Sequence, residues 1–438
     1  MKFLLGVSLF ILQCGLLYSS NWESLGYGLN GAAYTIFIDS TNGKVYAGGQ
    51  FSEADSITVR GIAVWDGVHW DSLAHGSTGY HWAITKYQNK IYADGVYFQN
   101  TLLFGGIFDG VSWDSIGRGV IGDIYQLKEI NNSLWISGGF VVRGDPDSCK
   151  MLATWDGANW SCLNVPYDEG RIEDFEFLNG TLVIGGNFFD STNTGVDIAY
   201  FDGTNFQTMG HRLYGGFSVI HAMTLYRGEL YIAGYFTQAE GNEGNHIMKW
   251  NGTQWEDVGG GTDSWILCMR VYNDELYVGG VFEYAGGVHT GNLAKWNGIQ
   301  WSTVTPSIIY GQTGISDIQF SNGALYIGGY FLTIDTVHVN HIAKYTFPLT
   351  TGDFSKPSLG FNLTPSPSNS FITVSFSSPL MEDAVLTATD AQGRKQFRIF
   401  IPRQTMRKEL DIAELAAGVF FVTLVSEQGS VTRKLIKE

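Results

Sequence analysis

The stretch Glu275 to Trp301, ELYVGGVFEYAGGVHTGNLAKWNGIQW, returns along this chain at nearly constant spacing. Its closing aromatic falls in register at Trp70, Trp113, Trp160, Phe206, Trp255 and Trp301, with successive differences of 43, 47, 46, 49 and 46 residues. That period suits four-stranded β repeats rather than helical arrays, and such a unit buries its apolar face only by stacking on its neighbours. Leu276-Tyr277-Val278 is a strand-forming run, and Gly279-Gly280 behind it admits a bend or a closely approaching backbone. Leu293-Ala294-Lys295-Trp296 alternates like a half-buried strand, Asn297-Gly298 tolerates the positive φ of a tight turn, and Trp301 opens the next strand. Leu267 to Val271, set off by the turn signal Asn273-Asp274, supplies the remaining strand.

The second-strand signature occurs seven times, at Tyr46-Ala47-Gly48-Gly49, Tyr92-Ala93-Asp94-Gly95, Trp135 to Gly139, Val183 to Gly186, Tyr231 to Gly234, Tyr277 to Gly280 and Tyr326 to Gly329. The fourth-strand signature reaches seven only when Trp22-Glu23-Ser24-Leu25 is counted, since the last unit stops at Lys344-Tyr345-Thr346-Phe347. The sequence therefore predicts an all-β, seven-bladed β-propeller over residues 21–347, with the N-terminal strand completing the last blade and removing the open sheet edges.

With the double glycine, the turns Trp65-Asp66-Gly67, Trp155-Asp156-Gly157 and Phe201-Asp202-Gly203, and the tryptophan opening strand four, this region resembles the kelch-like group of seven-bladed propellers. The resemblance implies a fold and says little about activity, because propellers host enzymes and pure binders alike. Blade two departs most: Ala93-Asp94-Gly95 replaces the double glycine, and its third strand reads as shortened to Leu102–Phe108 with a shorter loop before it.

Residues 1–20 carry Lys2, an apolar run from Phe3 to Tyr18 and the small pair Ser19-Ser20, the pattern of a cleaved secretory signal rather than an anchor. Cys14 follows Gln13, not the small residue that lipoprotein processing needs. No other apolar stretch is long enough to span a bilayer. Residues 348–367, rich in Pro, Ser, Thr and Gly, read as a linker. Residues 368–438 then hold short alternating strands at Phe371–Phe376, Ala384–Thr389, Gln396–Ile401, Val419–Val425 and Val431–Ile436, which fit a small immunoglobulin-like β-sandwich. Thr364-Pro365-Ser366-Pro367-Ser368, Thr389-Asp390-Ala391-Gln392-Gly393-Arg394-Lys395, Leu410-Asp411-Ile412 with Ala417-Gly418-Val419-Phe420-Phe421-Val422, and the terminal Arg433-Lys434-Leu435-Ile436-Lys437 stand in the order of a type A C-terminal sorting domain. The region is similar to that domain of the Bacteroidota type IX secretion system. The family usually has an Asn where this chain has Ser366 and a Tyr where it has Phe420. The resemblance implies an address, with the outer-membrane translocon and a sortase as partners and a secreted or cell-surface destination.

The formal charge is −16, and residues 21–355 alone carry −19. So acidic a domain disfavours nucleic acid and anionic membranes as partners, since both are held by basic patches, and the charge also serves solubility. Once Cys14 is set aside, Cys149, Cys162 and Cys268 remain. Cys149 and Cys162 flank one strand-three to strand-four hairpin and are candidates for a disulfide, while Cys268 reads as a small buried hydrophobe on an inner strand.

Propellers present ligands on the face formed by the loops entering strand one and those joining strands two and three. Here those segments place Tyr80, Trp82, Tyr125, Tyr214, His221, Trp265 and Tyr310 on an aromatic, acidic rim suited to sugars, whose C–H faces pack on aromatic rings while their hydroxyls seek polar partners. The alternative for any of these aromatics is wedging between blades. Glu173, Asp174 and Asp317 on inner strands could instead supply a carboxylate pair for glycoside hydrolysis, with His221 beside them. No sialidase-type box, nucleophile elbow, zinc helix, phosphate loop or calcium loop occurs, and neither metal nor cofactor is expected. The sequence thus supports a secreted binding or adhesion module, possible ligand a surface glycan, against a polysaccharide-active hydrolase, lyase or oxidase sited at the channel mouth.

Overall fold

The structure is a computed structural model. It describes residues 21–438 apart from 75–79, 99–100, 145–148, 191, 193–194, 211–212, 216–217, 240–241, 306–308, 311–313, 348–360, 365–367, 369, 377–383, 391–393, 404, 427–428 and 438. Two compact units part after Phe347. The expected signal, residues 1–20, lies outside the described residues, as does most of the expected linker.

The first unit is a seven-bladed β-propeller. Seven four-stranded antiparallel sheets follow one another, each with its first strand innermost. These inner strands are Ala33–Ile38, Ile84–Tyr87, Val120–Ile130, Glu169–Leu178, Val219–Tyr226, Ile266–Tyr272 and Ile315–Ser321. In the seventh sheet the fourth strand is Trp22–Ser24, from the other end of the domain, which pairs with Ile342–Thr346 through Trp22 opposite Tyr345 and Ser24 opposite Ala343. Blade two is complete, and the expected shortening of its third strand is corrected. Lys90–Phe98 and Thr101–Phe108 form one long hairpin in which Thr101 opposes Phe98.

Two repeated devices hold the ring. In blades one, two and six the tryptophan opening strand four is buried and donates its indole N–H to the previous blade: Trp70 to the Leu25 carbonyl at 2.7 Å, Trp113 to Leu73 at 2.9 Å, Trp301 to Val258 at 2.8 Å. A tryptophan is needed because it joins a large apolar body to one donor; truncating such a residue to alanine costs about 3–5 kcal/mol. The aspartate of each aromatic-Asp-Gly turn folds back on its own backbone, as where Asp66 accepts the N–H groups of Val68 and His69 at 2.8 and 2.7 Å. This side-chain turn closes the outer hairpin without help from packing.

The second unit is a sandwich of two antiparallel sheets. Phe361–Thr364, Phe371–Phe376 and Arg407–Asp411 form one; Lys395–Ile401, Ala384–Asp390, Gly418–Ser426 and Gly429–Lys437 form the other. Phe361, Ile372 and Val374 pack against Leu386, Val422, Leu424 and Leu435 between them. The strand Phe361–Thr364 falls within the stretch expected to be linker. It alternates Phe-Asn-Leu-Thr, buries Phe361 and pairs with Phe371–Phe376, a signal that the prolines next to it in sequence obscured. No helix among the described residues is long and apolar enough to cross a membrane.

Candidate functional site

Five inner strands of the propeller carry one more residue than their partners. The register slips between Ala33 and Thr35, Ile124 and Gln126, Ile172 and Asp174, Ile220 and Ala222, and Ile315 and Asp317, leaving Tyr34, Tyr125, Glu173, His221 and Ser316 in bulges. Trp82 and Leu267 occupy the same place in blades two and six. The second glycine of strand two is the cause. A Cβ on Gly49, Gly186, Gly234 or Gly280 would lie within 2.3 Å of the carbonyl oxygen of Ala32, Arg171, Val219 or Trp265. Only a residue without a side chain lets the bulged strand come so close, and the bulge turns its extra side chain out of the ladder. All seven such residues line one cavity of about 460 Å³, well within the roughly 300–1,000 Å³ of small-molecule sites.

One wall of this cavity is aromatic. Tyr34 and Trp82 stack with ring centres 4.5 Å apart and planes 10° from parallel, Tyr80 extends the stack from the rim at 6.2 Å from Tyr34, and Tyr125 leans on Trp82 at 5.9 Å. Gln50 ties the platform together, accepting from the Tyr34 hydroxyl at 3.0 Å and donating to that of Tyr80 at 3.1 Å. Trp265, also lining the cavity, packs on Tyr235 at 4.4 Å.

The neighbouring wall is charged. Arg171 lies over the Tyr125 ring, 5.3 Å from its centre, and donates its Nε–H to Glu173 Oε1 at 2.6 Å. The other Glu173 oxygen meets His221 Nδ1 at 2.5 Å. Burial pushes the Glu173 carboxyl up, but His221 and Arg171 outweigh it and hold the group below the usual range. It is therefore a carboxylate, which only accepts hydrogen bonds, so Nδ1 carries the imidazole proton and Nε2 is left for other work. Burial raises the phenols of Tyr34 and Tyr125, keeping both neutral.

The expected residues divide accordingly. Trp82, Tyr125, His221 and Trp265 meet in the cavity, together with Glu173, Asp174 and Asp317. Tyr80 stands on its rim, whereas Tyr214 is exposed in a two-residue strand pairing with Gln238–Ala239 and is not part of the lining. The side chain of Tyr310 lies outside the described residues. Asp174 is engaged by Lys128 Nζ at 2.7 Å and by the N–H groups of Phe175 and Met223, both at 2.8 Å. Asp317 likewise accepts from Ile36 and Ile318. Both carboxylates thus bind blade to blade. Cys149 and Cys162 form a disulfide, and Cys268 is a buried free thiol. Among the described residues no group of three or more His, Cys, Asp or Glu could hold a metal ion. Sequence reasoning passed over Arg171, Arg270, Gln126 and Ser316 as site residues. The bulge positions carry a signal: Tyr125 and Ser137, Glu173 and Gly185, His221 and Ala233, and Ser316 and Gly328 keep a single spacing back from strand two.

In the second unit, Asp390 accepts the backbone N–H of Arg394 at 2.9 Å and its Nε–H at 2.8 Å, closing the turn of the Asp390–Arg394 motif, and the final strand runs to Lys437 along the whole of Gly418–Ser426. Residues 362–438 match the secretion system C-terminal sorting domain. The chain is therefore exported to the outer cell surface or secreted, by the type IX route that such a tail serves. No curated protein matches the chain significantly. Among solved structures it is similar to the extracellular domain assigned to the one component system BT4673 from B. thetaiotaomicron, at 12% identity, a TM-score of 0.33, and coverage of 93% of this chain and 68% of that one. A protein of unknown function from Bacteroides thetaiotaomicron VPI-5482 is similar at 11% identity and a TM-score of 0.33, over 74% of this chain and 75% of that one. Scores this low let neither likeness bear on function.

Proposed function

We propose that the propeller binds a saccharide at the mouth of its central channel and acts at the cell surface as a binding or adhesion module. The stacked Tyr34–Trp82 platform carries this reading. Aromatic rings lining a cavity of about 460 Å³, with Gln126, Arg171 and Ser316 in the same lining, offer a sugar both packing for its C–H groups and partners for its hydroxyls. The acidic charge of residues 21–355 directs the choice away from nucleic acid. In this reading residues 1–20 start export, the translocon recognises the sorting domain, and a sortase removes it.

The test is a glycan array with the purified protein, followed by Trp82→Ala and Trp265→Ala on the preferred glycan. Each loss should weaken retention about five-fold or more, since an aromatic contact contributes roughly 1 kcal/mol. Both indoles are over a third exposed, so the melting temperature should change little. Unaltered retention in both variants, or a loss of several kcal/mol of stability instead, would show that these rings only pack blades together.

A further inference from the structure

The Arg171–Glu173–His221 cluster does more than a sugar-binding wall requires. Glu173 sits in the bulge of blade four and His221 in that of blade five, so the imidazole is held by a carboxylate from the neighbouring blade. Glu173 is itself buried and fixed from its other side by Arg171. A carboxylate that orients Nδ1–H sets the tautomer and ring plane and leaves Nε2 as a proton acceptor. Two guanidinium groups, Arg171 and Arg270, line the same cavity. Arg270 is only loosely engaged by Asp317, at 3.6 Å.

A glycoside hydrolase would need two facing carboxyl groups, one of them protonated. Asp174 and Asp317 are instead clamped by backbone N–H groups of adjacent blades, and Glu173 is committed to Arg171 and His221. What remains is a positioned imidazole beside cations, the equipment for removing a proton next to a carboxylate whose negative charge the cations offset.

We infer that this mouth performs β-elimination on a uronate-containing polysaccharide, with His221 as the catalytic base and Glu173 as its positioning residue. The inference rests on the saccharide reading of the same cavity. His221 Nε2 takes the proton from C5 of the uronate. The C5–H electron pair becomes the C4=C5 double bond, the C4–O glycosidic bond breaks with its pair going to oxygen, and the imidazolium returns the proton to that oxygen. No water, oxidant or metal is consumed, and the products are a free hydroxyl end and an unsaturated uronate end. Because one group serves both transfers, the C5 hydrogen and C4 oxygen must lie on the same side of the ring, as in mannuronate and glucuronate chains.

The experiment incubates the full chain with poly-mannuronate and with hyaluronan. It follows the ultraviolet absorbance of the new conjugated double bond, with retention on each immobilised polymer measured alongside. Turnover is expected on at least one polymer. His221→Gln should lower kcat by about 100-fold or more while keeping retention, as loss of a general base does. His221→Ala should regain part of the rate when imidazole is added, which a purely structural residue would not allow. Glu173→Gln should reduce kcat and leave KM nearly unchanged. Retention of the polymers without any unsaturated product would overturn the catalytic inference and leave the binding reading standing. Absence of retention on every glycan would overturn both. A His221→Gln variant as active as the parent would remove His221 from the chemistry.

Discussion

Asp317 in the last blade accepts the backbone N–H of Ile36 in the first, Oδ2 to N at 2.7 Å, while its Oδ1 takes the N–H of Ile318 at 2.8 Å. Asp174 does the same between blades four and five. Both aspartates follow a bulge directly, where the interrupted ladder leaves N–H groups in need of acceptors. Asp317→Ala would leave two buried donors unsatisfied, so the unfolding free energy should fall by about 2–4 kcal/mol. A urea midpoint equal to that of the parent would refute the clamp.

The ring closes on the first strand. Besides its pairing with Ile342–Thr346, this segment receives the Trp70 indole N–H at the Leu25 carbonyl, 2.7 Å, and the Thr346 N–H at the Asn21 carbonyl, 3.0 Å. Removing residues 21–26 should lower the melting temperature and raise light scattering, because it bares a sheet edge and orphans a buried indole. Unchanged melting and scattering would mean that the strand is dispensable.

The Cys149–Cys162 bridge spans 13 residues across the outer hairpin of blade three. Closing a loop of that size limits the unfolded chain and should stabilise the domain by about 3 kcal/mol. Cys149→Ser, or reductant during denaturant unfolding, should show that loss. A thiol titration of the unfolded, unreduced chain from residue 21 should find one reactive group, Cys268; three would exclude the bridge.

Acid should act on blade two. His81 is wholly buried, with Nδ1 2.6 Å from the Asp94 carbonyl, and burial lowers its pKa from 6.5 to about 4. As pH falls below 6.5 the unfolded chain binds a proton that the folded one refuses. The stability contributed by neutral His81 is therefore complete above that pH and lost on the way to 4, by roughly 3 kcal/mol. Asp94, pushed up by burial, has the opposite sign, because the folded state keeps its proton to higher pH. His81→Gln should flatten or reverse the acid loss in this window, and Asp94→Asn should steepen it. Identical pH slopes for His81→Gln and the parent would contradict this assignment.

The blades and their closure were legible because most units repeat the same local solution: Trp for the latch, Asp-Gly or Asn-Gly for the turn, paired glycines for strand two. The first sandwich strand was not, since four residues beside prolines carry too little pattern to stand out from a linker. For the site, chemistry was visible and company was not. Glu173 and His221 lie in different blades, and nothing local in either says that one orients the other. Tyr34 belongs to the aromatic rim in sequence, but only the bulge beside Gly49 turns it onto Trp82. Residues meeting across blade seams owe their contact to ring geometry, which single-strand periodicity does not encode.

The bulge opposite the second glycine separates the frame from what it displays. The hydrogen-bond ladder runs on past the extra residue, so the side chain there can vary without disturbing the strands on either side. This chain uses that freedom fully, with tyrosine twice and tryptophan, glutamate, histidine, leucine and serine once each. A propeller built this way holds seven interchangeable sockets around one opening. Exchanging their occupants alone would give closely similar rings quite different appetites.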